Sequence, residues 1–141
     1  MYDSIVVAVA LFNKGATSRG LIEKAKRMLN PGGQLTLVHV MDEVPAYLAA
    51  AITKEALLNH RKAIREQLES LAAGAKVKNV DIDLRGGRPS EQILACAREC
   101  KAGLIMITSH KPGFSDYFIG STAARVVRHA QCSVLVSRSG V

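Results

Sequence analysis

The chain has 141 residues, enough for one domain that buries its own core without disulfides or a metal. Apolar residues make up 48% of it, with no Trp, three Tyr and three Phe, so the core must be aliphatic, as in parallel sheets covered by helices. Three cysteines, no basic leader and no apolar run of about 18 residues argue against a disulfide framework, a signal peptide and a membrane span. We therefore expect a cytoplasmic protein with reduced thiols.

The net charge of +7 raises the question of a nucleic-acid or membrane partner. The Lys and Arg residues are scattered along the chain. The densest basic stretch, residues 60–65, is interleaved with Glu55, Glu66 and Glu69 and holds no aromatic residue. This arrangement is typical of a solvated helix face, so we expect neither nucleic acid nor membrane as a partner.

Short β-branched runs alternate with helical patterns along the whole chain, which predicts βαβ units. The fold class is α/β: one domain over residues 1–141, a doubly wound sandwich with a five-stranded parallel sheet in the order 3-2-1-4-5 and four helices. Ligands of such sheets bind at the carboxyl ends of the strands, which points to the loops after strands one and four. The strands are predicted at Ser4–Leu11, Gln34–Val40, Val80–Leu84, Leu104–Ser109 and Val134–Val136.

Four apolar stripes at helical spacing predict the helices between these strands. The stretch 41–52 is longer than usual connections, and it is compatible with either an amphipathic lid or an extension of the second helix. The stripes are Leu21, Ala25, Met28 and Leu29; Leu57, Ile64, Leu68 and Leu71; Ile93, Cys96, Ala97 and Cys100; and Ala123, Val126, Val127 and Ala130.

The segment after strand four carries the most informative binding pattern. It runs from Ser109 and ends with Gly120 and Ser121 at the start of a helix. The free N–H groups and positive dipole end of that helix, with the Ser121 and Thr122 hydroxyls, form an anion site, and Lys111 offers a compensating charge. Taken alone, the pattern also fits an ordinary helix cap.

The segment 104–136 resembles the C-terminal part of universal stress proteins. Gly120-Ser121 matches the end of their Gly-x2-Gly-x9-Gly-(Ser/Thr) motif, and residues 125–136 match their last helix and strand. The turn Gly87-Arg88-Pro89-Ser90, strand one and His39-Val40 also fit, so the resemblance covers essentially the whole chain. It implies a Rossmann-like fold of the adenine nucleotide alpha hydrolase type and an adenine nucleotide ligand, ATP or AMP, with or without Mg²⁺.

The chain departs from the family pattern at two places. Ile107 and His110 stand where the first two glycines of the motif are expected, and the sequence instead reads Ser-His-Lys-Pro. This is similar to the Ser-His-Arg-Pro of the F/G-type subgroup, whose members are understood to bind ATP. Ala10 stands where the family usually places an Asp that holds the ribose or adenine, so we predict an affinity lower by roughly an order of magnitude.

The resemblance implies a set of binding residues on three segments of the chain. Around the base and ribose, Ala8 and Ala10 would contribute backbone atoms only. The full set is Ala8, Val9 and Ala10 around the base or ribose, Val40 against the adenine, Ser109, His110 and Lys111 on the phosphate side, and Gly120, Ser121 and Thr122 cradling the phosphates.

The sequence offers no catalytic residue and no metal site. Cys96 and Cys100 fall on an apolar helical stripe, where core packing is the expected role. The four histidines are isolated in the sequence, and no strand is followed by a P-loop or a dinucleotide-binding turn. Ala10 and Leu11 also exclude the acidic cluster of a receiver domain.

We expect a homodimeric, nucleotide-binding stress-response or regulatory module. The last strand is short and apolar at Val134, Leu135 and Val136, which favours an exposed edge that pairs across a two-fold axis. The regulatory protein partner is not identified by the sequence. Two alternatives stay open: a nucleotide-independent dimeric interaction module, and a slow ATP hydrolase or autophosphorylating protein with Ser109, Ser121 or Thr122 near the phosphates.

Overall fold

The computed structural model describes residues 1–11, 15–41, 44–109 and 120–138. Strands and helices alternate through these ranges, as the hydrophobic pattern predicts. The strands are β1 (Tyr2–Ala8), β2 (Leu29–Met41), β3 (Val80–Gly86), β4 (Leu104–Thr108) and β5 (Ser133–Ser137), and the helices are α1 (Ala16–Met28), α2 (Ala46–Ala49), α3 (Lys54–Ala75), α4 (Pro89–Glu99) and α5 (Ser121–His129).

The five strands form one sheet in the order β3-β2-β1-β4-β5, and every neighbouring pair is parallel. The predicted sheet and strand order are confirmed. The order reverses between β1 and β4, so a crevice is expected where these two strands end. β3 and β5 are the edges of the sheet.

The sheet separates two apolar cores because successive strand residues point to opposite faces. On one face, Ile5 and Val7 of β1 pack in a cluster with Leu68 of α3. On the other, Val6 packs in a cluster with Ile93 of α4 and with residues of α5. Helices therefore cover both faces of the sheet and leave its strand ends for a ligand.

Several predicted element boundaries are wrong in detail. A short extra helix, α2, forms inside the stretch 41–52, so the described residues hold five helices instead of four. β1 ends at Ala8, which places Val9, Ala10 and Leu11 beyond the strand. Leu29, predicted in the first helical stripe, begins β2.

Two predicted core positions are exposed. Leu57 of α3 is 37% exposed. It lies in the N-terminal part of the helix, residues 54–63, where every residue is exposed, and burial begins at Ile64. Thr53 is the N-cap of this exposed part of the helix, and its Oγ accepts the Ala56 N–H at 3.0 Å. Val127 is 48% exposed, because Ala123 and Val126 form the buried face of α5 at the β5 edge of the sheet.

A membrane span is not found among the helices of the described ranges, since none combines the required length with sufficient apolar character.

Candidate functional site

A pocket of about 300 Å³ lies at the carboxyl ends of β1, β2 and β4. Its walls are mostly methyl and methylene groups, including those of Ala8, Ala10 and Val40. Among the described lining residues, His39, Thr108 and Thr122 have polar side chains, and none is an acid, lysine or arginine. The volume is at the lower end of the range for small-molecule sites.

The structure brings five of the predicted binding residues to the wall of this pocket. They are Ala8, Val9, Ala10, Val40 and Thr122. Sequence reasoning did not assign His39 or Thr108 to the site. The signal for both was their position, since each lies at or near the carboxyl end of a predicted central strand.

The other predicted residues either border the pocket or fall outside the described chain. Ser109 follows β4, and its carbonyl accepts the Gly120 N–H at 3.2 Å, so the end of β4 meets the start of α5. Ser121 is the exposed first residue of α5. His110 and Lys111 lie outside the described residues, and their predicted phosphate contacts stay predictions.

The end of β1 is closed by a serine of α1. The Ser18 hydroxyl is fully buried, accepts the Ala10 N–H at 2.9 Å and donates to the Ala10 carbonyl at 2.9 Å. This arrangement uses the only backbone donor of Ala10. The backbone contribution predicted for Ala10 is therefore restricted to the second lone pair of its carbonyl.

His39 ties the end of β2 to the end of β1. Its Nδ1 lies 2.8 Å from the Val9 carbonyl oxygen. Val9 in turn donates its N–H to the Val38 carbonyl at 2.8 Å, which continues the β1–β2 ladder past the last strand residue. These two bonds fix the backbone at the mouth of the pocket.

The N-terminus of α5 has the features of an anion site. Gly120 is the N-cap residue and provides no side-chain cap, and Ala124 donates to its carbonyl at 2.9 Å. The N–H groups of Ser121, Thr122 and Ala123 have no acceptor within the described part of the chain. The first turn of the helix also carries no acidic side chain that would repel an anion.

The Ser109 hydroxyl is a second polar group without a partner beside this helix end. Ser109 is 5% exposed, and its Oγ is buried with no hydrogen bond to the residues described. An orphaned buried hydroxyl costs about 1–3 kcal/mol, so such groups in native proteins have a specific explanation. A ligand that occupies the adjacent helix terminus would supply one.

Cys96 lies in the core, as predicted from its apolar stripe. Its Sγ is 4.0 Å from the Sγ of Cys100, which is half-buried. Burial raises the pKa of the Cys96 thiol, and the nearby Cys100 and Asp83 add to the effect. In the described ranges, no group of three or more metal-ligating side chains comes together.

A larger cavity of about 450 Å³ opens at the amino end of β4, between the C-terminal ends of α4 and α5. Arg98, Lys101 and His129 line it. Two of them, Arg98 and His129, belong to last helical turns, where cations complement the helix dipole without any ligand. We place the candidate site in the smaller pocket because open α/β sheets bind ligands at the carboxyl ends of their strands.

The comparison with protein families gives one match, the model described as the universal stress protein family, over residues 1–138. A relative from Thermus aquaticus, "Universal stress protein in QAH/OAS sulfhydrylase 3'region", is 34% identical over 76% of this chain and 79% of its own. Universal stress protein G from Shigella flexneri is 25% identical over 98% of this chain and 100% of its own.

Solved structures with the same fold include proteins crystallised with adenine nucleotides. One, a universal stress protein in complex with cAMP, has a TM-score of 0.66 and 18% identity and covers 97% of both chains. Another, from Archaeoglobus fulgidus in complex with dAMP, has a TM-score of 0.62 and 22% identity and covers 96% of this chain and 97% of its own.

Proposed function

This chain belongs to the universal stress protein family, and on that premise we propose that it binds an adenine nucleotide, ATP or AMP with or without Mg²⁺, as a cytoplasmic stress-response module. The nucleotide would occupy the pocket at the ends of β1, β2 and β4. Nucleotide binding would change the affinity of the surface around α5 for a regulatory protein partner.

One observation carries this proposal: an apolar pocket opens beside an uncapped helix N-terminus and an orphaned buried hydroxyl. The first two features provide separate places for a flat apolar base and for an anion. We expect the Ser109 hydroxyl, which has no partner among the described residues, to donate to a phosphate oxygen. A nucleotide combines an apolar base with phosphates in one ligand.

The orientation of the ligand follows from the chemistry of the walls. The base would lie against Val40 and the methyl groups of Ala8 and Ala10. The phosphates would lie at the N-terminus of α5, where the backbone N–H groups of the first turn and the Thr122 hydroxyl would donate to them. The complexes of related folds with cAMP and dAMP support an adenine nucleotide as the ligand class.

The proposal includes self-association through β5. In the part of the chain that the structure describes, both edges of the sheet lack a neighbouring strand, and of the two edge strands β3 carries charges: Arg85 pairs with Asp83 at 2.9 Å and also with Glu99. Charges on an edge strand oppose pairing with a second chain. β5 reads Ser-Val-Leu-Val-Ser and has none, so Val134, Leu135 and Val136 would form the dimer contact.

A nucleotide-independent dimer is the second candidate, and the end of β1 favours it. The Ala10 side chain is a methyl group, and Ser18 occupies the Ala10 N–H. The pocket therefore offers few polar contacts on its β1 side. For the third alternative, a slow hydrolase, the described lining supplies no carboxylate to act as a base or to bind Mg²⁺.

Titration calorimetry with ATP and AMP in the presence of Mg²⁺, together with native mass spectrometry, tests the first proposal. Thr122→Glu adds a charge that suits the helix dipole but repels phosphate, so the fold persists while affinity falls at least about tenfold. Thr122→Gln has nearly the size of Thr122→Glu but is neutral, and it loses the same hydroxyl, so it should bind more tightly than Thr122→Glu and the difference between the two variants reports the effect of the charge. A dimer that takes up no nucleotide at millimolar concentration would establish the second candidate instead.

A further inference from the structure

The larger cavity, of about 450 Å³, has no part in the proposed nucleotide site. It lies at the opposite end of β4 from the candidate pocket, and the two cavities share no lining residue. Its volume falls within the usual range for small-molecule sites, about 300–1,000 Å³. A nucleotide in the smaller pocket would therefore leave this space for a second ligand.

Most of the wall of the larger cavity is apolar. Ala97 and Ile105 are buried and belong to the core cluster under α4 and α5, so the cavity reaches down to the core. Burial raises the pKa of the Cys132 thiol, which keeps the thiol protonated and uncharged at neutral pH. The apolar lining residues are Leu94, Ala97, Ala102, Ile105, Ala130 and Cys132.

Two permanent cations stand at the mouth of the cavity. Arg98 and Lys101 line it and are exposed, and no acid is found among the described lining residues. Neither side chain has a hydrogen bond or an ion pair with another residue in the described ranges. Glu99, the neighbour of Arg98 in the sequence, pairs with Arg85 instead. The two cations are thus available to an anion from solution.

The helix dipoles balance only part of this positive charge. The C-terminal ends of α4 and α5 together carry a partial charge of about −1. Arg98 and Lys101 bring two full positive charges, so about one charge at the mouth stays unbalanced. Arg128, in the last turn of α5 but outside the lining, adds to the same sign. The mouth of the cavity therefore favours an anion.

We propose that the larger cavity is a second ligand site that takes an amphipathic anion, an organic carboxylate with an aliphatic body. The carboxylate would lie at the mouth, where the Arg98 guanidinium can donate two parallel hydrogen bonds and Lys101 adds a point charge. The aliphatic body would lie against the apolar wall. An inorganic anion would use only the mouth, and an aliphatic cation only the wall.

A double substitution removes both cations in a way that the backbone tolerates. Lys101 has a φ of 52°, the left-handed conformation that glycine adopts with least strain, so Lys101→Gly suits this position. Arg98→Gln keeps a good helix former in the last turn of α4. The matched control is Arg65→Gln with Lys76→Gly, because Lys76 has a φ of 56° after α3 and Arg65 is exposed on that helix. Both double variants lose the same two charges, but only the first changes the cavity.

Calorimetry measures the binding of octanoate, acetate and octylammonium to each protein. Each buried methylene strengthens binding about fourfold, so the unmodified protein should bind octanoate at least about tenfold more tightly than acetate. Octylammonium has the same tail and the opposite charge and should bind at least about tenfold more weakly than octanoate. Arg98→Gln/Lys101→Gly should bind octanoate at least about fivefold more weakly, while Arg65→Gln/Lys76→Gly stays within about twofold of the unmodified protein.

Amide signals in two-dimensional NMR spectra locate the bound octanoate. We expect shifts at Ala97, Ala102 and Cys132 and none at Ala8 and Val9, which line the smaller pocket. Shifts at Ala8 and Val9 alone would overturn the proposal, as would no binding of octanoate at millimolar concentration. Equal affinities for octanoate and octylammonium, or equal weakening in the two double variants, would overturn it too. These measurements contain no nucleotide, so their failure would leave the proposed function untouched.

Discussion

The Ser18 hydroxyl of α1 holds both backbone polar groups of Ala10, accepting the N–H and donating to the carbonyl at 2.9 Å each. Ala10 lies beyond the last residue of β1, and none of the described strands continues the ladder for it. The buried Ser18 side chain thus makes the hydrogen bonds that a neighbouring strand would otherwise make to Ala10. It also fixes the position of the Ala10 methyl group in the wall of the pocket.

Ser18→Ala is predicted to destabilise the fold by about 1–3 kcal/mol, because it removes two hydrogen bonds and leaves the Ala10 N–H without a partner. Chemical unfolding monitored by circular dichroism measures the change. Ser70→Ala, an exposed position in α3, is the matched helical control and stays within about 0.5 kcal/mol. Equal stability of the two variants would show that the Ser18 contacts contribute nothing.

Ala10→Asp is predicted to strengthen nucleotide binding, since a carboxylate would enter a pocket wall that has no charged group among its described residues. A hydrogen bond from a ligand hydroxyl or amine to a charged acceptor is worth about 1.5–3 kcal/mol, or about 10–100-fold in affinity. Ala10→Asn supplies the same shape without the charge and should gain less. Calorimetry with ATP measures the change. An unchanged affinity in Ala10→Asp would show that neither the base nor the ribose of the nucleotide contacts this wall of the pocket.

The sheet and its strand order could be predicted because the inner strands contain compact apolar runs, as in Leu104–Thr108, whose first four residues are buried, and because β3 alternates apolar and charged residues. The point at which the sheet stops covering each helix could not be predicted from the sequence. Periodicity places Leu57 and Val127 on apolar stripes, but it does not tell where the covering sheet stops, so both were predicted buried and are exposed. No local sequence pattern reveals the hydrogen bonds between Ser18 and Ala10, because they join a helix to the end of a strand.

The two halves of α3 are predicted to respond differently to loss of a leucine side chain. Leu68 is fully buried against the sheet, so Leu68→Ala should cost about 2–5 kcal/mol of unfolding free energy. Leu58 is 58% exposed in the N-terminal part of α3, and Leu58→Ala should cost less than about 0.5 kcal/mol of unfolding free energy. A large effect at Leu58 would mean that a second chain covers this half of the helix in solution, which a dilution series of the unfolding midpoint would reveal.

A lysine on the β5 edge is predicted to block the proposed dimer. Val134→Lys introduces a charge into an uncharged edge, whereas Asp81→Lys places the same side chain on the β3 edge and should leave the assembly unchanged. Val127→Lys tests the neighbouring exposed surface of α5 without disturbing a buried residue. Sedimentation velocity measures the result, and a dimer that survives Val134→Lys and Val127→Lys would place the contact elsewhere.

The fold is predicted to lose stability at alkaline pH through Cys96. Burial raises the pKa of this thiol above its ordinary value of 9.0, so above that pH the unfolded chain ionises the thiol while the folded chain keeps it protonated. The unfolded state then binds fewer protons, and the free energy of unfolding falls as the pH rises, by at most about 1.4 kcal/mol per pH unit. Urea unfolding at a series of pH values from neutral to alkaline should give a steeper decline for the unmodified protein than for Cys96→Ala, which has no thiol to ionise there. Parallel declines would show that Cys96 ionises as easily in the folded protein as in the unfolded chain.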